Sequence, residues 1–173
     1  FGHSTAVNVI LWIVIVLCGG IFYWVVIHRM FKHFVHYPVP AFATPLLDNP
    51  LRRMFQPPKK LIEQMDIREG MKVLEVGPGP GTFTIEAAKR VGIHGEVVVI
   101  DIQPRIISRL DHRLQREGIS NATTKVAPAD NLPFPDNTFD RVFMIAVLGE
   151  IPDKDKALSE ARRVLKDSGL VAI

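Results

Sequence analysis

Only one of the 173 residues is a cysteine, Cys18, so the chain can form no internal disulfide. Charge is missing from the start, where no Asp, Glu, Lys or Arg stands before Arg29. A cleaved secretory signal needs a basic segment ahead of its apolar core and a small-x-small site behind it; neither is found here. Internal repeats and low-complexity tracts are also lacking, which excludes a solenoid.

The uncharged start holds instead VILWIVIVLCGGIFYWVVI, residues 9–27. At 1.5 Å rise per residue such a helix spans roughly 28 Å, close to the hydrocarbon thickness of a bilayer. Trp12, Tyr23 and Trp24 suit the two interfaces. Residues 1–28 are therefore expected to be a transmembrane anchor, with Cys18 an apolar filler inside it. The 47% apolar content and the mean hydropathy of +0.17 are concentrated there.

Residues 29–56 read as a basic linker, in which Pro38, Pro40 and Pro45 end the helix and stiffen the chain. From 29 to 60, Arg29, Lys32, Arg52, Arg53, Lys59 and Lys60 face one acid, Asp48, a net +5. The whole chain carries +3, which leaves −2 for 61–173. The positive-inside rule then predicts a single-pass protein with its C-terminal domain in the cytoplasm. The basic excess suits anionic headgroups, so the expected partners are the lipid bilayer and a small-molecule or lipid acceptor, not nucleic acid. Gly19 and Gly20 form no GxxxG repeat, and the sequence assigns no oligomeric state.

Residues 57–173 alternate apolar strands with amphipathic helices, the signature of an α/β fold with a mostly parallel, doubly wound sheet. Strands are predicted at 71–76, 96–100, 122–127, 139–147 and 170–173. Helices are predicted to begin at Thr82, at Pro104 and after the capping acid Asp153. The Arg-rich outer face of the second of these reads as solvated. At the end of the first strand stands VLEVGPGPG, residues 73–81. Gly77, Gly79 and Gly81 free the backbone to turn sharply and to approach a ligand, and the turn opens onto a helix N-terminus. A dinucleotide site wants G-x-G-x-x-G; here the third glycine comes one residue early, with Thr82 in its place.

This stretch resembles the first motif of class I S-adenosylmethionine-dependent methyltransferases, acid-x-Gly-x-Gly-x-Gly. Four further likenesses follow in the family's order: VVVID ending in Asp101, PADNLPFPDNTFDRVF, LGEIPD and RRVLKDSGLVAI. They are similar to the branch that includes the ubiquinone/menaquinone-biosynthesis methyltransferases. The resemblance implies a Rossmann-like methyltransferase domain over 57–173 with S-adenosylmethionine as cofactor. It implies that Gly77, Gly79 and Gly81 admit the methionyl part and that Glu75 orders the turn. Asp101 would accept from the two ribose hydroxyls. Asp130 and the Asn131 backbone would meet the adenine edge, with Ile102 and Leu132 as apolar walls. No metal is expected. The acceptor side should be 147–152, where Glu150 is the one candidate base; relatives often carry histidine there. The family sheet normally has seven strands and this sequence stops inside the fifth, so a fold truncated after strand five is expected. The expected activity is methyl transfer to a lipophilic or small-molecule acceptor. The alternatives are a non-catalytic membrane-tethered module that keeps the fold, and an NAD-dependent oxidoreductase.

Overall fold

Strands buried on both faces need helices above and below them, and a computed structural model of the chain has that arrangement. It describes the backbone of residues 2–34 and 57–173, with side chains over 11–27 and 57–173. Two units are separated, Phe1–Tyr37 and Pro38–Ile173.

The first unit is a single helix, α1 (Gly2–Phe34). Every described side chain on it, from 11 to 27, is exposed, including Trp12, Phe22, Trp24 and the free thiol of Cys18. Among the described residues, no helix is long and apolar enough to cross a membrane. The expected anchor is thus carried by the sequence pattern alone, and the expected linker lies, from residue 35 onward, outside the described residues.

In the second unit α2 (Pro58–Gln64) leads into β1 (Lys72–Val76), α3 (Thr82–Val91), β2 (Glu96–Asp101), α4 (Pro104–Arg116), β3 (Ala122–Val126), β4 (Phe139–Phe143), α5 (Lys154–Val164) and β5 (Leu165–Ala172). The sheet order is β3-β2-β1-β4-β5 and all four pairings are parallel. The expected Rossmann-like sheet is therefore present, with five strands among the described residues.

Alternation along the strands divides the core in two. Leu74, Val76, Val98 and Ile100 pack with Ala157, Ala161 and Val164 of α5. Val73, Val97 and Val99 point the other way, onto Ile62 of α2, Ile85, Ala88 and Val91 of α3, and Leu110 and Leu114 of α4. Glu75 shares the parity of Val73, so its side chain is delivered beneath α3.

Two strand boundaries differ from those expected by more than one residue. β4 ends at Phe143, short of the predicted Val147. Ala146 takes φ 60°, in the left-handed region, and bends the chain before a short 3₁₀ turn at Leu148–Glu150. β5 starts earlier than predicted, because Leu165 already pairs with Phe139. The predicted Asp167-Ser168-Gly169 turn sits inside it as an irregularity, between the Phe139–Leu165 and Arg141–Leu170 pairs. The cap of α5 is as expected: Asp153 Oδ1 accepts from the Lys156 N–H at 3.0 Å. Replacing it by alanine should lower stability by about 1 kcal/mol, within the usual 0.5–2 kcal/mol for a lost N-cap. Urea denaturation of Asp153→Ala against the parent checks this, and an unchanged midpoint would exclude a contribution from the cap.

Candidate functional site

The C-terminal ends of β1, β2 and β4 stand side by side, and backbone bonds hold the ends of β1, β2 and β3 in step. The Gly77 N–H donates to the Ile100 carbonyl at 2.8 Å, and the Ala127 N–H donates to the Asp101 carbonyl at 3.1 Å. Successive connections lead from β1 towards β2 and β3 on one side and to β4 and β5 on the other. Such a switch point leaves a crevice outside the strand ends, where open α/β sheets bind ligands.

The glycine turn lies at that crevice. Gly77, Gly79 and Gly81 have φ of 72°, 53° and 82°, all in the region that glycine occupies without a Cβ penalty. At Gly77 space matters as well as torsion. An added Cβ would lie 2.4 Å from Val147 Cγ2, because the bend after β4 brings Val147 over the turn. Gly81 is closed in from the other side: its Cβ would meet Leu110 Cδ1 of α4 at 2.4 Å. The turn is tied by the Gly81 N–H to the Pro78 carbonyl at 2.9 Å, and α3 begins there.

Glu75 is buried, and the Thr84 hydroxyl donates to its Oε2 at 2.5 Å. Burial pushes its carboxyl up to about 8, against the opposing effect of the Thr84 bond. The carboxylate that sequence placed beside the turn therefore joins strand β1 to helix α3. Asp101 is half-buried at the end of β2, and its Oδ1 accepts from the Gln103 N–H at 2.8 Å. Its pKa is raised by burial, opposed by that N–H, and raised further by the charge of Glu150. Glu150 on the 3₁₀ turn is thus in electrostatic reach of Asp101 as well as lying in the expected acceptor segment. Ile102 is 59% exposed and presents an open apolar surface next to Asp101.

The loop after β3 is held from below. Leu132, expected as an apolar wall, is 4% exposed and packs in the α5-side core, where it anchors this loop. Its N–H donates to Glu160 Oε2 at 2.8 Å, and its carbonyl accepts from Arg163 Nη2 at 3.0 Å. Arg163 Nη1 also reaches the Phe134 carbonyl at 2.9 Å and Asp136 Oδ1 at 2.7 Å. The Arg163 bond is the main reason that the Glu160 carboxyl falls to about 2. Asp130 stays half-buried and Asn131 exposed above this anchor. The Asn131 N–H is directed at the Pro128 carbonyl, at 3.4 Å, a long bond that a better acceptor would displace. Asp140 is structural: it accepts from the Lys72 N–H and from Lys166 Nζ, each at 2.8 Å.

Three residues important to this geometry were not expected. Glu160 and Arg163 carried no sequence signal beyond their three-residue spacing on a helix. Arg113 belonged to the face read as solvated, yet its Nη1 donates to the Pro80 carbonyl at 2.6 Å. Among the described residues, no group of three or more His, Cys, Asp or Glu is placed to hold a metal ion.

Residues 67–173 match the family described as methyltransferase domain. The chain belongs to that family. It is 42% identical over 113 residues to the ubiquinone/menaquinone biosynthesis C-methyltransferase of Idiomarina loihiensis, covering 65% of this chain and 45% of that protein. It is 39% identical, again over 113 residues, to the enzyme of the same name from Pasteurella multocida, covering 65% and 42%. The chain thus spans less than half the length of these relatives. A solved S-adenosylmethionine-dependent methyltransferase from Aquifex aeolicus superposes with a TM-score of 0.71 at 31% identity, over 75% of this chain and 69% of that one.

The methyltransferase domain has S-adenosylmethionine as its cofactor, and the residues here fit it. Gly77 and Gly81 leave the turn bare where a Cβ would collide, and Asp101 offers a carboxylate held by one backbone N–H. Placing alanine at position 77 should abolish cofactor binding, through the Val147 collision and through about 1–2 kcal/mol of left-handed strain. Gly77→Ala with Val147→Ala should recover part of the affinity in calorimetry; equal binding by Gly77→Ala and the parent would refute the close approach. Burial of Glu75 also makes a pH prediction. Below its ordinary value of 4.5 both folded and unfolded chains hold the proton; between there and about 8 only the folded chain does. Stability should therefore fall as pH rises through that window and level off above it. Denaturation midpoints of Glu75→Gln should lack this slope relative to the parent, and parallel profiles would exclude the shift.

Proposed function

We propose that the chain carries out methyl transfer from S-adenosylmethionine to a lipophilic acceptor of the isoprenoid-quinone-precursor class, at a membrane surface. The observation that carries the transfer itself is the junction of β1 and β2. There Gly77 hydrogen-bonds to Ile100, which sets the bare glycine turn beside Asp101. The acceptor class follows the printed activity of the relatives at about 40% identity. The membrane location follows the apolar stretch 9–27, its exposed helical side chains and the net +5 beyond it.

The chain's own contribution is chiefly positional. The sulfonium supplies a methyl group that is already electrophilic, so alignment with the acceptor lowers most of the barrier. Asp101 takes the ribose hydroxyls, fixed in plane by Gln103. The glycine turn admits the methionyl end against the backbone. Ile102 offers the adenine an apolar surface, and Asp130 and Asn131, above the Leu132 anchor, offer it polar edges. Glu150 is the ionisable group in 147–152 positioned to take a proton from an acceptor that must lose one.

Membranes holding the full chain should move label from methyl-labelled S-adenosylmethionine into the solvent-extracted lipid fraction. Asp101→Ala should cut that transfer by at least tenfold. Label found only in water-soluble products would overturn the lipophilic acceptor while leaving the transfer reading intact.

A further inference from the structure

Three left-handed glycines and two prolines give a turn whose backbone carbonyls have no place in a regular ladder. The Gly81 N–H holds the Pro78 carbonyl from within the turn, whereas the Pro80 carbonyl is held from outside it, by α4. Leu110 and Arg113 are three residues apart and share one side of that helix. Leu110 Cδ1 stands 2.4 Å from where a Cβ on Gly81 would lie, so any side chain there would have to displace it. Arg113 Nη1 lies 2.6 Å from the Pro80 carbonyl and 3.3 Å from Thr82 Oγ1, so one guanidinium grips both sides of Gly81. Glu117, one turn further on, accepts from Arg113 Nε at 3.0 Å and orients it. The side chain is 21% exposed, whereas Arg105 and Arg116 on the same helix are exposed.

We propose that Arg113 is a positioning residue for the cofactor: it draws the Pro80 carbonyl towards α4 and so keeps the glycine turn in its ligand-ready form before the ligand arrives. The inference rests on the S-adenosylmethionine reading of the site. Its physical basis is preorganisation. A glycine-rich turn has more conformations to lose than any other segment, and a charge-assisted bond made in the free protein removes that loss from the binding step. A planar fork serves two acceptors at once, which a lysine ammonium on a flexible stem does less well. The same helix starts directly after Asp101 and Gln103, so it also fixes the spacing between the grip on the turn and the ribose acid.

The test compares the full chain with Arg113→Met, Arg113→Lys and Glu117→Gln, by calorimetry with S-adenosylmethionine and by amide hydrogen exchange of each protein without ligand. Arg113→Met should bind about tenfold more weakly, the loss expected for one charge-assisted bond. Exchange should quicken at Gly79, Gly81 and Thr82 and stay unchanged in β2 and α5. Arg113→Lys should recover part of the affinity, and Glu117→Gln should weaken binding two- to threefold. Affinity of Arg113→Met within twofold of the parent would overturn the proposal. So would faster exchange across the whole sheet with lysine no better than methionine, the result of a merely structural role. Should Arg113→Met not fold, Glu117→Gln decides, and parent-like binding by it counts against the proposal. A parent chain that binds no S-adenosylmethionine would remove the cofactor reading itself, a result distinct from equal binding by parent and variant.

Discussion

The hydrogen bond from the Gly77 N–H to the Ile100 carbonyl is the constraint on which the site depends. It extends the parallel ladder of β1 and β2 by one residue and then lets the chain leave it at a left-handed φ. The last ladder position and the first turn position are the same residue, so the turn starts at a fixed height above the sheet. Asp101, one residue beyond Ile100, is fixed at that height too, and its own carbonyl is held by Ala127. A glycine is required because Val147 fills the space where any Cβ would go. Two strand ends and the turn thus meet at one backbone atom pair, with Val147 packed against it.

Around that point the chain uses charge to hold loops. Arg113 grips the glycine turn, and Arg163 with Glu160 grips the loop after β3. Both are arginines of helices that use several donors on backbone carbonyls and a neighbouring acid, which suits the fixed fork of the guanidinium. Glu75 works in the opposite manner. It is buried with its carboxyl pushed up to about 8, and it joins β1 to α3 through Thr84. The polar groups that open on the crevice are therefore few, and those behind them do the holding.

Much of this was legible in the residues. The glycine spacing, the acid closing the second strand and the alternation of strands with helices predicted the sheet type and the turn. The cap at Asp153 also followed from its residue type. For Leu132, apolar character marks a ligand wall and a core residue alike, and only the packing beside α5 shows that it belongs to the core. The end of β4 was misplaced because 144–147 is as apolar as the strand before it. Its bend comes from Ala146, a residue with no sequence mark for a left-handed φ. Arg113 was hidden among similar arginines, since nothing local distinguishes a guanidinium facing water from one facing a turn 33 positions away in the chain.

What the sequence determined by itself is what depends on neighbours in the chain: periodicity, glycine torsions, caps and the order of motifs. The apolar run 9–27 is of the same kind, a pattern read along the chain. Tertiary structure decided what depends on distant pairs. It turned Glu75 inward through the parity of β1, brought Val147 onto Gly77, sank Leu132 into the core and set Arg113 and Arg163 on carbonyls. The physical reason is that hydrogen bonds and steric exclusion act over a few ångströms of space, and the partners here are brought within that range only once the sheet has assembled.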